Sequence, residues 1–388
     1  MNVKVLLSLL LALALVASGA TAWAKVSGPC SDCHTMHNSQ NGVVDTTLAG
    51  APLDGGPSRS LTKGDCVGCH TGANDGTGNI PYVTDTTAPT YTSADGATGN
   101  TLAGGSFYWV ATGADAKGHN VLNIAAGKDS NMPNLNPPGW DPAVSNSEIA
   151  NGEATWSKQL TCAGTYGCHG PHGAEDDFQD LAGAHHGDDA VIDGSTAAKS
   201  FRFLNGIIGY EDPNWEYRPT KTARNEYHGV ARKTISAAGS ETDQKTISYF
   251  CATCHGNYHS GAGVSYAGQD TNIGENPWLR HPSDYDMADT AVGSEYRSYN
   301  QDGTYSVEAP VAFDLGASVT KGSHALNTVA FTGGKAIVTC ISCHRAHGSP
   351  HDDLLRWAYS PTNDVGAVMS AGSGAGNVGC FVCHTSKD

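Results

Sequence analysis

Beyond its first two dozen residues the chain shows no sustained hydrophobic period. Neither the 3.6-residue recurrence of an amphipathic helix nor the strict alternation of a half-buried strand runs for more than a few positions. Ser106 to Ala111 (Ser-Phe-Tyr-Trp-Val-Ala) and Lys335 to Val338 read as short strands, and short helices are predicted to follow several of the cysteine motifs below. Stretches such as Thr71-Gly-Ala-Asn-Asp-Gly-Thr-Gly-Asn79 read as turn and loop. The predicted fold class is therefore mostly coil, with short helices and little strand. The 48 glycines and 17 prolines among 388 residues agree with it, being about a sixth of the chain where an average one has about 12%. Only 39% of the residues are apolar and 8% aromatic, so compact folding calls for buried apolar mass from something other than side chains.

The first residues read as a targeting segment. Lys4 precedes an unbroken apolar and small-residue stretch, Val5 to Ala17, and Ala22-Trp23-Ala24 fits a small-x-small cleavage site. Residues 1–24 are thus expected to be a signal peptide, with the mature chain starting at Lys25. The apolar run falls short of the about 20 residues a membrane anchor needs, and no later stretch is long enough. An exported chain without a membrane span follows. The formal charge of −16, or −17 without Lys4, argues against nucleic acid as a partner.

All twelve cysteines fall into six pairs, each followed at once by histidine. Cys30/Cys33 with His34, Cys66/Cys69 with His70, Cys251/Cys254 with His255, Cys340/Cys343 with His344 and Cys380/Cys383 with His384 are C-x-x-C-H; Cys162/Cys168 with His169 is a stretched version. C-x-x-C-H is the attachment signature of c-type haem. Two sulfurs about one helical turn apart reach the two vinyl groups of one porphyrin, and the adjacent histidine becomes the proximal iron ligand. A disulfide framework gives no reason for a histidine after every second cysteine, a zinc ribbon works with cysteine pairs in fours, and thioredoxin-like chemistry needs one C-x-x-C on a βαβ unit. At the stretched site Gly164 and Gly167 would let the three extra residues bulge out, and a local Cys162–Cys168 disulfide is the alternative. Six covalently attached haems are expected, about 60 residues for each, enough to wrap a cofactor but not to build a protein core beside it.

Eleven histidines remain to cap six irons, whereas only Met36, Met132, Met287 and Met369 survive removal of the leader, so coordination by two histidines is the expectation. His37, His172 and His347 each stand three residues after a proximal histidine, and His259 stands four after one. So close in sequence, such a histidine cannot easily reach the far face of the same porphyrin and is expected on another haem. His119 (Lys-Gly-His-Asn), His281 (Leu-Arg-His-Pro) and His324 (Lys-Gly-Ser-His-Ala) stand apart from any cysteine and read as free distal ligands; the alternative for each is an exposed polar residue. First cysteines at 30, 66, 162, 251, 340 and 380 place closely spaced motifs near each terminus, with no linker or charge block between, so residues 25–388 read as a single hexahaem unit.

With these landmarks in order, the chain resembles the OmcS-type hexahaem cytochromes, which polymerise into extracellular conductive filaments. The resemblance rests on Cys-His34-Thr-Met-His37-Asn-Ser, Gly-Gly-Ser-Phe-Tyr-Trp-Val before Lys-Gly-His119-Asn, and Gln159-Leu-Thr-Cys leading to Cys-His-Gly-Pro-His172-Gly. It continues through Phe201-Arg-Phe-Leu, Leu279-Arg-His281-Pro and Cys-His344-Arg-Ala-His347 to a last Cys-His384 near the end. It implies a largely coil chain wrapped around a continuous row of stacked haems, all capped by two histidines. It also implies that His37 reaches into the neighbouring subunit to cap the haem of Cys340 and Cys343. The stretched third motif and the pair Ala184-His185-His186 depart from the family pattern, so that His185 or His186 could replace His172 as a ligand.

Two classes of function compete. An electron conductor, polymerising with copies of itself and passing electrons to redox partners or extracellular acceptors, needs no substrate pocket. A multihaem reductase, or a monomeric periplasmic shuttle that feeds one, is the alternative. A reductase generally needs an iron with an open sixth position, often flagged by an altered motif, and every motif here keeps its histidine. The expectation is an electron-transfer protein rather than an enzyme, exported to the cell surface or beyond, with the periplasm as the alternative.

Overall fold

The computed structural model describes residues 25–26, 28–35, 39–40, 43–44, 61–77, 80–91, 98–143, 145–230, 244–260, 283–290, 299, 305–321, 329, 334–358 and 379–383. The expected leader and His37, His281, His324 and His384 lie outside the described residues.

Regular structure comes in fragments, as the missing period predicts. Among the described residues the α-helices are α1 (Cys30–Cys33), α2 (Cys66–His70), α3 (Tyr108–Ala111), α4 (Asp177–Asp180), α5 (Ile247–Ala252) and α6 (Gly256–Ser260). The strands pair two by two: β1 (Ser39–Gln40) with β2 (Val43–Val44), β3 (Thr71–Gly72) with β4 (Thr84–Asp85), and β5 (Thr161–Ala163) with β6 (Gly167–His169). Further along, β7 (Val191–Ile192) pairs with β11 (Val319–Thr320), β8 (Gly209–Tyr210) with β9 (Glu226–Tyr227), and β10 (Tyr285–Asp286) with β12 (Ile337–Val338). Helices of four to six residues are too short to hold themselves together in water. Side-chain caps fix three of them: Asp65 accepts from Gly68 N–H at the start of α2, Asp176 from Gln179 N–H at the start of α4, and Thr246 from Tyr249 N–H at the start of α5. Among the described residues no helix is long and apolar enough to cross a membrane.

Two local expectations change. Helices mostly contain the cysteine motifs rather than follow them: α1 and α2 hold both cysteines one turn apart, α5 ends on the fourth motif, and Cys340–Ser342 and Gly379–Val382 are 3-10 turns. Among the described residues only α6 follows a motif directly. Ser106 to Ala111, read as a strand, contains helix α3 instead. Ser106 Oγ accepts from Tyr108 N–H and so turns the chain, while Phe107 and Val110, three apart, bury together against Val121. The second expected strand is present as β12.

Among the described residues no single core runs through the chain. Apolar side chains gather in small clusters, the largest around Tyr299, Tyr305, Val311, Phe313 and Val338. Others centre on Phe201, Ile207, Tyr227 and Ile337, on Trp140, Ile149, Trp156 and Tyr166, and on Phe107, Val110 and Val121. Three of the four have a motif cysteine packed at the margin: Cys383, Cys254 and Cys162.

The largest cluster also encloses charge. Arg224 is fully buried, its guanidinium 3.6 Å from the centre of the Tyr305 ring, and its Nη1 donates to Glu226 Oε1 and to the Asn225 carbonyl at 3.2 Å each. Glu226 is equally inaccessible. Removing one partner of such a pair strands the other charge in a poorly solvating interior, so Arg224→Met should destabilise the haem-loaded protein by about 3–5 kcal/mol. A lowered midpoint in chemical denaturation measures it.

Candidate functional site

Four of the six motif histidines share one way of being held. His70 Nδ1 lies 2.8 Å from the Pro81 carbonyl, His169 Nδ1 2.9 Å from that of Arg202, His255 Nδ1 2.7 Å from that of Pro138, and His344 Nδ1 2.7 Å from that of Asp353. A carbonyl can only accept, so each Nδ1 carries the proton and donates it. The deprotonated nitrogen is then Nε2, which is the arrangement a metal-ligating histidine adopts. Two candidate distal ligands follow the same rule: His119 Nδ1 donates to Ala346 O at 2.6 Å and His172 Nδ1 to Gly164 O at 3.1 Å. His228 shows the contrast, since its Nδ1 accepts from Leu315 N–H and its proton therefore sits on Nε2.

Local backbone explains how distant carbonyls arrive. The β3–β4 pairing and a bond from Val83 N–H to His70 O set the Pro81 carbonyl at the ring. For His169 and His344 the acceptor belongs to a pair of consecutive left-handed residues, Arg202 and Phe203 (φ 50° and 61°) or Asp353 and Leu354 (φ 58° and 59°). Such conformations cost about 1–2 kcal/mol per L-residue. In both cases the second carbonyl of the pair accepts the amide that follows the histidine: Gly170 N–H bonds Phe203 O and Arg345 N–H bonds Leu354 O. Strain of this kind persists only where the surroundings enforce it, and it gathers at functional sites.

Burial keeps these rings neutral. It holds His70, His119 and His344 below the ordinary imidazole range, pushes His169 and His255 down to about 4, and drives His347 down to about 3. Iron needs the neutral form. His347 Nδ1 is buried without a hydrogen bond, and its ring packs on Phe107 with centroids 4.7 Å apart. His259 differs: its Nε2, the nitrogen the other candidates keep for a metal, meets the buried carboxylate of Asp284 at 3.1 Å. His34 is partly buried, and its ring faces that of His186.

The twelve cysteines are free thiols, each the sulfur that a thioether would use. Their neighbours follow chain order. Burial first, and then Cys33, Cys168 and Cys380 respectively, push the thiols of Cys69, Cys254 and Cys343 up, while contact with Cys162 and with Cys340 pushes up those of Cys66 and Cys251. Direct sulfur contacts join the second motif to the third, through Cys66 and Cys162, and the fourth to the fifth, through Cys251 and Cys340. Cys66 Sγ, Cys162 Sγ and a carboxylate oxygen of Asp177 all lie within 4.8 Å of one another.

The stretched motif keeps this pattern by running as the parallel pair β5–β6, with Thr161 opposite Gly167 and Ala163 opposite His169. Two glycines permit the loop between. Gly164 has φ +85°, and a Cβ at Gly167 would fall 2.3 Å from the Ala163 carbonyl carbon. Cys162 and Cys168 thereby face different neighbours instead of each other. The buried Asp180 holds the loop in place, accepting from Gly164, His172 and Ala174 N–H. Asp180 and the carbonyls of Pro81, Pro138, Arg202, Ala346 and Asp353 were not legible beforehand, because nothing in their local sequence marks them.

The donor set thus fits haem c: paired sulfurs beside a neutral imidazole that presents Nε2. A family described by a doubled CXXCH motif matches residues 330–388. Over 403 aligned residues the chain is 30% identical to C-type cytochrome OmcS of Geobacter sulfurreducens, covering 92% of this chain and 85% of that protein. Two solved structures also align, the Outer Membrane Cytochrome S filament and the OmcS nanowires of the same organism. Their identities are 20% and 22% over 87% of this chain and 85% of theirs, with TM-scores of 0.39 and 0.38. At such scores no geometry passes from them to this chain, and the sequence match carries the assignment. The chain belongs to the OmcS family of multihaem c-type cytochromes, electron-transfer proteins with covalently bound haem c.

Proposed function

We propose that residues 25–388 form one unit carrying six haems in chain order, each iron closed by two histidines, and that copies join into an extracellular filament conducting electrons to external acceptors. The observation that carries this reading is the succession of motif sulfurs in chain order, with direct contacts between the second and third motifs and between the fourth and fifth. Residues 1–24 act as the export signal, and no substrate pocket is required.

When bound, haem c supplies reversible one-electron chemistry at iron. The chain's own residues do the rest. The twelve cysteines bind the porphyrin edges, and His34, His70, His169, His255, His344 and His384 serve as proximal ligands. His119, His172, His259, His281, His324 and His347 are the distal candidates within the subunit, with His37 serving its neighbour. Donation from Nδ1–H to a backbone carbonyl orients the ring and makes Nε2 a stronger donor, which together with two-histidine ligation keeps potentials below those of histidine–methionine sites. The aromatic and aliphatic clusters at the motif margins exclude water.

Haem load is read from intact mass. The mature chain should exceed its polypeptide mass by six haem groups, and a load of five with Cys162 and Cys168 joined in a disulfide would make the third site structural.

Closure of every iron is read from ligand binding. Carbon monoxide added to the reduced native assembly should leave its low-spin spectrum nearly unchanged. Strong binding at one haem would favour a reductase instead.

Assembly is read from His37→Ala. The variant keeps every cysteine and proximal histidine, so it should attach its full haem load. It should nonetheless lose one axial ligand per chain, at the haem of Cys340 and Cys343, and fail to polymerise, giving monomers with one carbon monoxide-reactive haem by electron microscopy and spectroscopy. Ordinary filaments with every iron low-spin would sink the cross-subunit assignment.

A further inference from the structure

Two pairs of histidine rings face each other across a gap of one size. The centroids of His34 and His186 are 6.0 Å apart with ring planes 19° from parallel, and those of His119 and His255 are 6.1 Å apart at 45°. A ligating imidazole nitrogen sits about 2 Å from its metal, and the ring centroid about 1.1 Å beyond it, so two rings on opposite sides of one iron stand about 6.2 Å apart. Spacing alone is not diagnostic, because His255 and Tyr258 are also 6.1 Å apart. The chemistry of the partners is. In the His119–His255 pair both Nδ1 atoms donate to backbone carbonyls, of Ala346 and Pro138, so both rings keep Nε2 for a metal.

For the other pair the fold supplies a reason for the approach. Lys25 N–H donates to Gly187 O and Val26 N–H to His185 O, which bonds the segment just ahead of the first motif to the turn Ala184–His186. Lys25 Nζ fastens it again, to Ser200 O at 2.9 Å and Glu211 Oε1 at 2.6 Å, with both side chains largely buried. From that anchor the chain runs through α1 to His34, opposite His186. The His185 ring packs on Phe203 with centroids 4.8 Å apart, and it is the His186 ring that faces His34. His172, the other candidate from this region, also keeps Nε2 for a metal, since its Nδ1 donates to Gly164 O.

We propose that His186 is the distal ligand of the first haem, opposite His34, and that His119 is the distal ligand of the fourth, opposite His255. The pairing rests on the two-histidine reading above and refines it: the Ala184–His186 turn closes the first iron and so couples the start of the mature chain to the middle of the sequence, 152 positions further along by the numbering.

The test uses the six-haem holoprotein. His186→Met should replace one imidazole by a thioether, adding a far-red sulfur-to-iron absorption band from a single haem and raising the potential of that haem alone. The band should vanish when Cys30→Ser and Cys33→Ser remove the first haem from the same chain, and should persist when Cys251→Ser and Cys254→Ser remove the fourth. His119→Met should behave the opposite way. Should the cysteine variants fail to mature, electron cryomicroscopy of the unaltered holoprotein shows directly which imidazole stands opposite His34 and His255. An unchanged spectrum in His186→Met, or a band that survives loss of the first haem, overturns the His186 pairing. Carbon monoxide binding by the unaltered protein would instead sink the two-histidine reading, so the two failures are distinguishable.

Discussion

A neutral imidazole has one nitrogen to give a metal, and the other carries a proton that must go somewhere. In this chain it goes to a backbone carbonyl, again and again: from His70 to Pro81, His169 to Arg202, His255 to Pro138, His344 to Asp353 and His119 to Ala346. The last of these spans 227 positions and the bond to Pro138 spans 117, so these contacts are long-range ties in a protein whose helices and strands are too short to supply many. Each tie fixes the tautomer and orients the ring, and those to Ala346 and Pro138 also pin remote segments together. The left-handed turns at Arg202–Phe203 and Asp353–Leu354 exist to aim carbonyls at rings, and their strain is offset by the bonds that converge on them.

Small apolar clusters are the second consequence. A chain that is 39% apolar and carries 48 glycines has little with which to build a large core. Its hydrophobic groups collect where cysteine motifs need walls, as Trp140, Trp156 and Tyr166 do beside Cys254, and Phe107 and Val121 beside Cys162. Buried polar groups are then satisfied one at a time. Asp180 gathers three backbone amides around the stretched motif, and Arg224 sits against Glu226 under the Tyr305 ring. Interiors of this kind depend on specific partners more than on bulk burial.

The chemistry was legible in the sequence because covalent haem attachment demands cysteines and histidine at fixed local spacing, and a local spacing survives any fold. The same holds for the coil-rich architecture, since the absence of a hydrophobic period is itself a local property. Even the glycines at 164 and 167 announced that the stretched motif would loop out. Local reading failed at Ser106 to Ala111, where an aromatic run that suits a strand became a helix because Ser106 Oγ took the Tyr108 N–H and turned the chain, and Phe107 and Val110 buried together. It was silent on Asp180 and on every carbonyl acceptor, which have side chains or positions that no motif requires. Which sulfur faces which neighbour, which ring nitrogen is left for iron, and which histidine stands opposite His34 are relations between segments tens to hundreds of residues apart. Only the tertiary structure decided them, because a distance across the fold is set by packing and hydrogen bonds that converge from many places, and no short stretch of sequence carries it.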